Sequence, residues 1–284
     1  MRLVRLLDPT NAMAKKLKSV TLFPKAIALT IAGSDPSGGA GLQADLKVFQ
    51  QLGVYGMSVV TLITVQNTQG VKRLEILDPQ LVLDQLEAIL SDIPPAMIKI
   101  GALGSAANVE AIADRISTLD VPVVVDPVMI SKHGLPLLAD DAVDRLVAQL
   151  LPCAALVTPN LPEAARLTGL PVDDASGMER AARALHAMGA RAVLVKGGHL
   201  SGSAMDLLFA DGRVTMFPAT RIESTHTHGT GCTLAAAITA RLARGDTIEE
   251  AVAGARRYVR AAIATAPGLG GGCGPVNHFA PISG

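Results

Sequence analysis

Short runs rich in Val, Ile and Leu alternate along this chain with longer stretches whose apolar positions recur at helical spacing. The pattern predicts strands over residues 26–31, 57–65, 97–100, 121–125, 155–157 and 192–195. Helices are predicted between them, over 42–52, 79–91, 106–119, 140–151, 161–167 and 176–188, with Gly53 where a C-cap would stand and Pro79 at a helix start. The texture then changes. Two apolar runs, 204–209 and 214–217, flank Asp211-Gly212, a hairpin signal. Two Ala-rich helices, 233–244 and 247–265, precede a glycine-rich tail. Near-continuous apolar strands separated by helices predict an α/β protein: a mostly parallel sheet with helices on both faces, a three-layer αβα arrangement with one antiparallel edge. No linker or repeat divides residues 26–284, which read as a single domain, with 1–25 as an N-terminal extension. A start at Met13 is a second reading of that segment.

Composition narrows the function. Apolar residues make up 49% of the 284, but aromatics only 2%, so the core must be aliphatic. Lys plus Arg equals Asp plus Glu at 25 each, which argues against a general nucleic-acid binder. Mean hydropathy is high at +0.38. Yet no window approaches the ~18 uninterrupted apolar residues of a membrane span, and Asp8-Pro9 interrupts the basic, mildly apolar N-terminus before it reaches signal-peptide length. Three cysteines without a CxxC suit a reducing cytosol better than a disulfide framework.

In parallel α/β sheets, ligands bind beyond the carboxyl ends of the strands, so the loops there carry the candidate chemistry. The first, Gly33-Ser34-Asp35-Pro36-Ser37-Gly38-Gly39-Ala40-Gly41, could bring bare backbone N–H groups to a ligand, or be a simple strand–helix turn. It is neither a Walker A loop nor a GxGxxG fingerprint. The most pointed motif is Thr227-His228-Gly229-Thr230-Gly231-Cys232-Thr233, running straight into an Ala-rich helix. Unpaired N–H groups and the helix dipole there suit an anion such as a phosphate in transit. Cys232, in the first turn, is expected to have a lowered pKa and to take a proton from an attacking hydroxyl; the alternative is a small buried residue. His226, His228 and Cys232 match no standard zinc spacing.

Asp126 ends one apolar strand, and Asn160 and Glu163 follow the next. These are hard oxygen donors suited to Mg²⁺, directly or through water. Asn160 with Glu163 is equally a helix-capping pattern, and Asp126 a turn residue. Lys196 follows a buried strand beside two glycines and could clamp phosphates, or be an ordinary surface lysine. The planar amide of Gln66 could read a heteroaromatic ring, or belong to a simple turn. Asp45, early in the first helix, is either a ligand contact or a dipole-compatible carboxylate.

Together, ALTIAGSDPSGGAGLQADLKVFQQLGVYGMSVVTLITVQNTQGV, KIGALGS, VVVDPVM, TPNLPEA, VLVKGGHL and HTHGTGCTLAAA resemble the hydroxymethylpyrimidine/phosphomethylpyrimidine kinases of thiamine biosynthesis, in the ribokinase-like superfamily. The likeness runs from about Ala26 to the C-terminus. It implies a ribokinase-like fold, usually a homodimer, and two ATP-dependent phosphoryl transfers: to the hydroxymethyl oxygen of 4-amino-5-hydroxymethyl-2-methylpyrimidine, then to the monophosphate. It implies that Gly33, Asp45 and Gln66 hold the pyrimidine. Gly229, Thr230 and Gly231 would form the anion hole, and Cys232 the base. Lys196, Asp126, Asn160 and Glu163 would serve the nucleotide and Mg²⁺. Departures are His226 where Asn is common, Ala102 where a larger Met is expected, and residues 1–25. The rival readings are a pyridoxine or pyridoxal kinase and a non-catalytic pyrimidine-binding regulator.

Overall fold

The computed structural model describes residues 24, 26–132, 134–198 and 204–282. The extension read over 1–25 lies, Pro24 apart, outside the described residues, as does His199. Among the described residues one sheet holds nine strands: β1 (Ala26–Ser34), β2 (Val54–Asn67), β3 (Gly70–Ile76), β4 (Met97–Ile100), β5 (Val123–Val125), β6 (Ala154–Val157), β7 (Val193–Gly197), β8 (Ala204–Ala210) and β9 (Arg213–Ala219). Their spatial order is β3-β2-β1-β4-β5-β6-β7-β8-β9. The six central strands from β2 to β7 run parallel, and β3, β8 and β9 add antiparallel ladders at the two edges.

The antiparallel edge is thus double, where the hydropathy pattern predicted a single one. The missed hairpin turns at Asn67, whose Oδ1 accepts from the Gln69 and Gly70 N–H groups. Thr68-Gln69 at its tip is not a standard hairpin pair, and β3 carries Lys72, Arg73 and Glu75, so it lacks an apolar run.

Helices cover both faces. On one lie α2 (Pro79–Leu90), α3 (Ala106–Ser117), α4 (Asp140–Arg145), α5 (Leu161–Thr168) and α6 (Ala175–Ala187), packing Leu86, Ile112, Val143, Ala164 and Met178 against Leu29, Ile31, Ile98 and Val125. On the other lie α1 (Gly41–Gln51), α7 (Thr230–Ala243) and α8 (Ile248–Ala264), packing Val48, Phe49, Ala236, Ile238 and Val259 against Ala28, Met97 and Val124. Small alanines let α7 pack on the central strands and α8 pack on α7, so this side of the core is filled without many aromatics. The helix predicted over 140–151 widens into a π-turn at Leu146–Leu150 and closes as a 3-10 turn at Leu151–Cys153. Pro152 has no N–H to continue the ladder. No helix among the described residues is long and apolar enough to cross a membrane.

The strand order reverses direction between β1 and β4. Chain from β1 crosses through α1 on one face, and chain from β4 crosses through α3 on the other. The loops at the carboxyl ends therefore diverge and leave a crevice.

Candidate active site

That crevice is a cleft of about 860 Å³ lined by the strand ends. Gly33 and Ser34 close β1, Gln66 closes β2, and Gly101 and Ala102 follow β4. Asp126 follows β5, Asn160 and Glu163 follow β6, and Lys196 closes β7. Gly229, Thr230, Gly231 and Cys232 complete the wall from the start of α7. The structure thus gathers every predicted site residue except Asp45 along one surface.

The helix start is built by glycines. Gly229 is the N-cap of α7 at φ 79°, in the left-handed region that favours glycine. A Cβ on it would lie 1.8 Å from the Gly39 carbonyl oxygen, so the absence of a side chain lets α7 seat on the first glycine-rich loop. A Cβ on Gly231 would lie 3.4 Å from Lys196 Nζ and 3.9 Å from Asp126 Oδ2. The helix N-terminus, a cation and a carboxylate therefore converge.

Lys196 Nζ donates to Asp126 Oδ1 at 2.8 Å, and Thr158 Oγ1 donates to the same oxygen at 3.1 Å. Burial works against the Lys196 ammonium, but Asp126 and Glu163 outweigh it and hold its pKa above the ordinary lysine value. Burial likewise opposes the Asp126 carboxylate, yet Lys196 and Lys99 keep its pKa low. Glu163 differs: burial, with Asp126 nearby, pushes it up to about 7 despite Lys196. Asn160 and Glu163 form a full capping box on α5, so the capping alternative holds. Both residues still face the cleft.

Cys232 stands in the first turn of α7, as predicted, but its acidity is opposite to expectation. Burial pushes the thiol up to about 11, and the nearby Asp45 and Asp126 charges oppose the pull of Lys99 and of the Gly41 N–H. The dipole argument counts one favourable effect; desolvation and two carboxylates outweigh it.

Asp45 does not line the cleft. Its Oδ2 accepts from Thr30 Oγ1 at 2.6 Å and from Lys99 Nζ at 2.8 Å, with both charged side chains fully buried. Its Oδ1 has no hydrogen-bond partner among the described residues. Sequence reasoning missed Lys99, whose side chain reaches the cleft from the middle of β4. The available signal was a lysine inside the buried run Met97-Ile98-Lys99-Ile100, where an unpaired cation would be very costly. Asp35 and His228 were also passed over as a pair. His228 Nε2 lies 2.8 Å from Asp35 Oδ2, and the Gln66 side-chain amide lies 3.2 Å from the same nitrogen. His226 instead packs beside Gly274 of the tail, where a Cβ would approach its Nδ1 to 2.5 Å.

A fully buried lysine, Lys99, a partly buried one, Lys196, and a glycine-opened helix N-terminus beside Cys232, on an α/β sheet, suit phosphoryl transfer to a small molecule. The profile of the Phosphomethylpyrimidine kinase family matches residues 35–277, and the chain belongs to that family. It is 51% identical over 258 residues to a hydroxymethylpyrimidine/phosphomethylpyrimidine kinase of Rhizobium meliloti, covering 89% of this chain and 97% of the relative. Against the protein of the same name from Streptomyces coelicolor, identity is 48% over 252 residues, covering 89% and 94%. It spans about half (53%) of the bifunctional thiamine biosynthesis protein ThiED of Geobacter sulfurreducens, at 52% identity over 90% of this chain. Among solved structures, pyridoxal kinase from Staphylococcus aureus in complex with ADP is similar at TM-score 0.83 and 38% identity, covering 90% of this chain and 94% of that one. Phosphomethylpyrimidine kinase from Clostridium difficile is similar at TM-score 0.75 and 42% identity, covering 83% and 98%. The ribokinase-like fold is thereby established.

Proposed function

We propose that this chain is a hydroxymethylpyrimidine/phosphomethylpyrimidine kinase of thiamine biosynthesis. It phosphorylates 4-amino-5-hydroxymethyl-2-methylpyrimidine on its hydroxymethyl oxygen, then phosphorylates the monophosphate to the diphosphate. The observation that carries this reading is the convergence of Lys99, Lys196 and the N-terminus of α7 around Cys232, next to an amide-bearing pocket at the ends of β1 and β2. Curated relatives about half identical to this chain bear that activity in their names.

The pocket half suits an aminopyrimidine. The Gln66 amide lines the cleft and offers both a donor and an acceptor to a ring edge, while Asp45 stands behind the wall and holds Lys99 in place. Gly33 lets the Leu62 side chain pack directly against the end of β1, since a Cβ there would strike it, and both residues line the cleft. Ala102, small where Met is expected, widens the same wall.

The other half suits a nucleotide triphosphate. Bound ATP with Mg²⁺ supplies the transferable phosphoryl group and screens its charge. Asp126 and Glu163 would be the residues to hold a Mg²⁺ ion, since a cation would offset the burial and the Asp126 charge that raise Glu163. Lys196 neutralises charge on the transferring group, and the Gly229–Gly231 N–H groups cradle its oxygens. Cys232 receives the hydroxyl proton in the first transfer. Its high pKa makes the thiolate scarce at neutral pH, so that transfer depends on base supply, whereas the phosphate acceptor of the second transfer is already ionised.

A homodimer belongs to the reading. Tyr55, Ile63 and Val65 on β2 are large, apolar and about half exposed, a surface that a second copy would cover. The three cysteines are free, consistent with a cytoplasmic setting. A pyridoxal kinase reading is favoured by one observation, the higher TM-score to the S. aureus enzyme. Rates with the pyrimidine and with pyridoxal at matched concentrations test the choice, and a preference for pyridoxal overturns it. Binding of the pyrimidine without ATP turnover would instead make the chain a sensor.

A further inference from the structure

Asp35, in the loop after β1, accepts hydrogen bonds from every side. Its Oδ1 receives the Ser37 N–H at 2.9 Å. Its Oδ2 receives the Ser37 hydroxyl at 3.0 Å, the Gly39 N–H at 3.2 Å and the Ala40 N–H at 2.9 Å. A carboxyl group so surrounded by donors is ionised and acts only as an acceptor. The same Oδ2 lies 2.8 Å from His228 Nε2. The proton in that contact therefore sits on Nε2, whether the imidazole is neutral or cationic.

A protonated Nε2 has no lone pair to offer. Yet the Gln66 side-chain amide, placed with its Nε2 toward the ring, lies 3.2 Å from it. An NH₂ group turned toward Nε2–H would set donor against donor. The carbonyl oxygen of the amide makes the contact favourable, and the two ends of a carboxamide differ so little in shape that the network decides between them. The imidazole is well held for this purpose. His228 is buried, its N–H donates to the Gly274 carbonyl at 3.1 Å, and a Cβ on Gly39 would come within 2.5 Å of its ring.

We infer that His228, anchored by Asp35, is a positioning residue that fixes the Gln66 amide with Oε1 toward the imidazole and NH₂ toward the cleft, so that this wall reads a ring nitrogen acceptor in the substrate. A heteroaromatic ring with an unprotonated nitrogen at that edge is selected, and one presenting a C–H or N–H there is rejected. The consequence for the substrate rests on the pyrimidine reading; the proton position does not.

Two measurements on the intact chain test this. In a long-range ¹H–¹⁵N spectrum of labelled protein, with the ring assigned by comparison with His228→Gln, Nε2 resonates as a protonated nitrogen between about pH 6 and 9. In kinetics, His228→Leu raises the KM for the pyrimidine roughly 10-fold, with kcat within about twofold and the KM for ATP unchanged. His228→Gln, whose amide can donate to Asp35 and to Gln66 Oε1, restores the KM to within about threefold of the parent. An unprotonated Nε2, an unchanged KM in His228→Leu, or a defect in His228→Gln as large as in His228→Leu overturns the inference. If the protein turns over no pyrimidine at all, the spectrum alone still decides where the proton lies.

Discussion

Lys99 Nζ lies 2.8 Å from Asp45 Oδ2, and both side chains are fully buried between the sheet and α1. Burial opposes the ammonium, and the Asp45 charge overcomes it, holding the lysine above its ordinary pKa. Removing one partner strands a buried charge, which costs about 3–5 kcal/mol. Lys99→Met should therefore lower stability in urea denaturation by about that amount. Lys99→Met/Asp45→Leu should recover most of the loss, because no ion is then left unpaired. A single variant as stable as the parent would mean that the pair is not formed in solution.

The Cys232 thiol, at about 11, should resist neutral-pH alkylation. Its modification rate should climb tenfold per pH unit until near that value. The first transfer, which needs the thiolate, should quicken as pH rises from neutrality, and the second should stay nearly flat. Cys232→Ala should slow the first transfer by about 10²-fold or more and leave the second within about tenfold. Rapid-quench analysis of each acceptor separates the steps; equal losses would assign Cys232 to packing or anion binding instead.

Gly229 cannot carry a side chain without moving α7 off the Gly39–Ala40 backbone. Gly229→Ala should lose about 100-fold in kcat/KM, the scale of a 1 Å displacement of catalytic groups, and about 1–3 kcal/mol in stability. Steady-state rates and thermal melts together check both losses, and a near-normal kcat/KM would contradict the proposed anion cradle.

His278, whose Nε2 lies 3.3 Å from Thr233 Oγ1 on α7, supplies a pH test that is read on stability. Burial, with Lys47 and His228 nearby, lowers its pKa to about 4, while the unfolded chain protonates near 6.5. Between those values protons bind the unfolded state preferentially, so stability falls as pH drops from about 6.5 to about 4, by up to roughly 3 kcal/mol. His278→Gln should flatten that slope in urea midpoints taken across the window. An unchanged slope would mean that other groups account for the acid sensitivity.

Much of this was legible beforehand, because the informative features are local. Strand–helix alternation at 26–100 reveals its own periodicity, Gly229-Thr230-Gly231 reads directly as a helix opening, and Asp126, Asn160, Glu163 and Lys196 fall at strand ends that the fold must gather. What escaped depends on contacts between distant positions. Strand β3 is short of apolar residues and depends on its ladder with β2. Lys99 is intelligible only beside Asp45, 54 residues away. The acidity of Cys232 is decided first by its burial and then by Lys99, Asp45 and Asp126, none of which the local sequence displays.

The central claim is two successive phosphoryl transfers to a hydroxymethylpyrimidine. A product-resolved time course with ATP, Mg²⁺ and 4-amino-5-hydroxymethyl-2-methylpyrimidine tests it most directly. The monophosphate should appear first and then decline as the diphosphate accumulates. Absence of both products, with pyridoxal consumed under the same conditions, would contradict it.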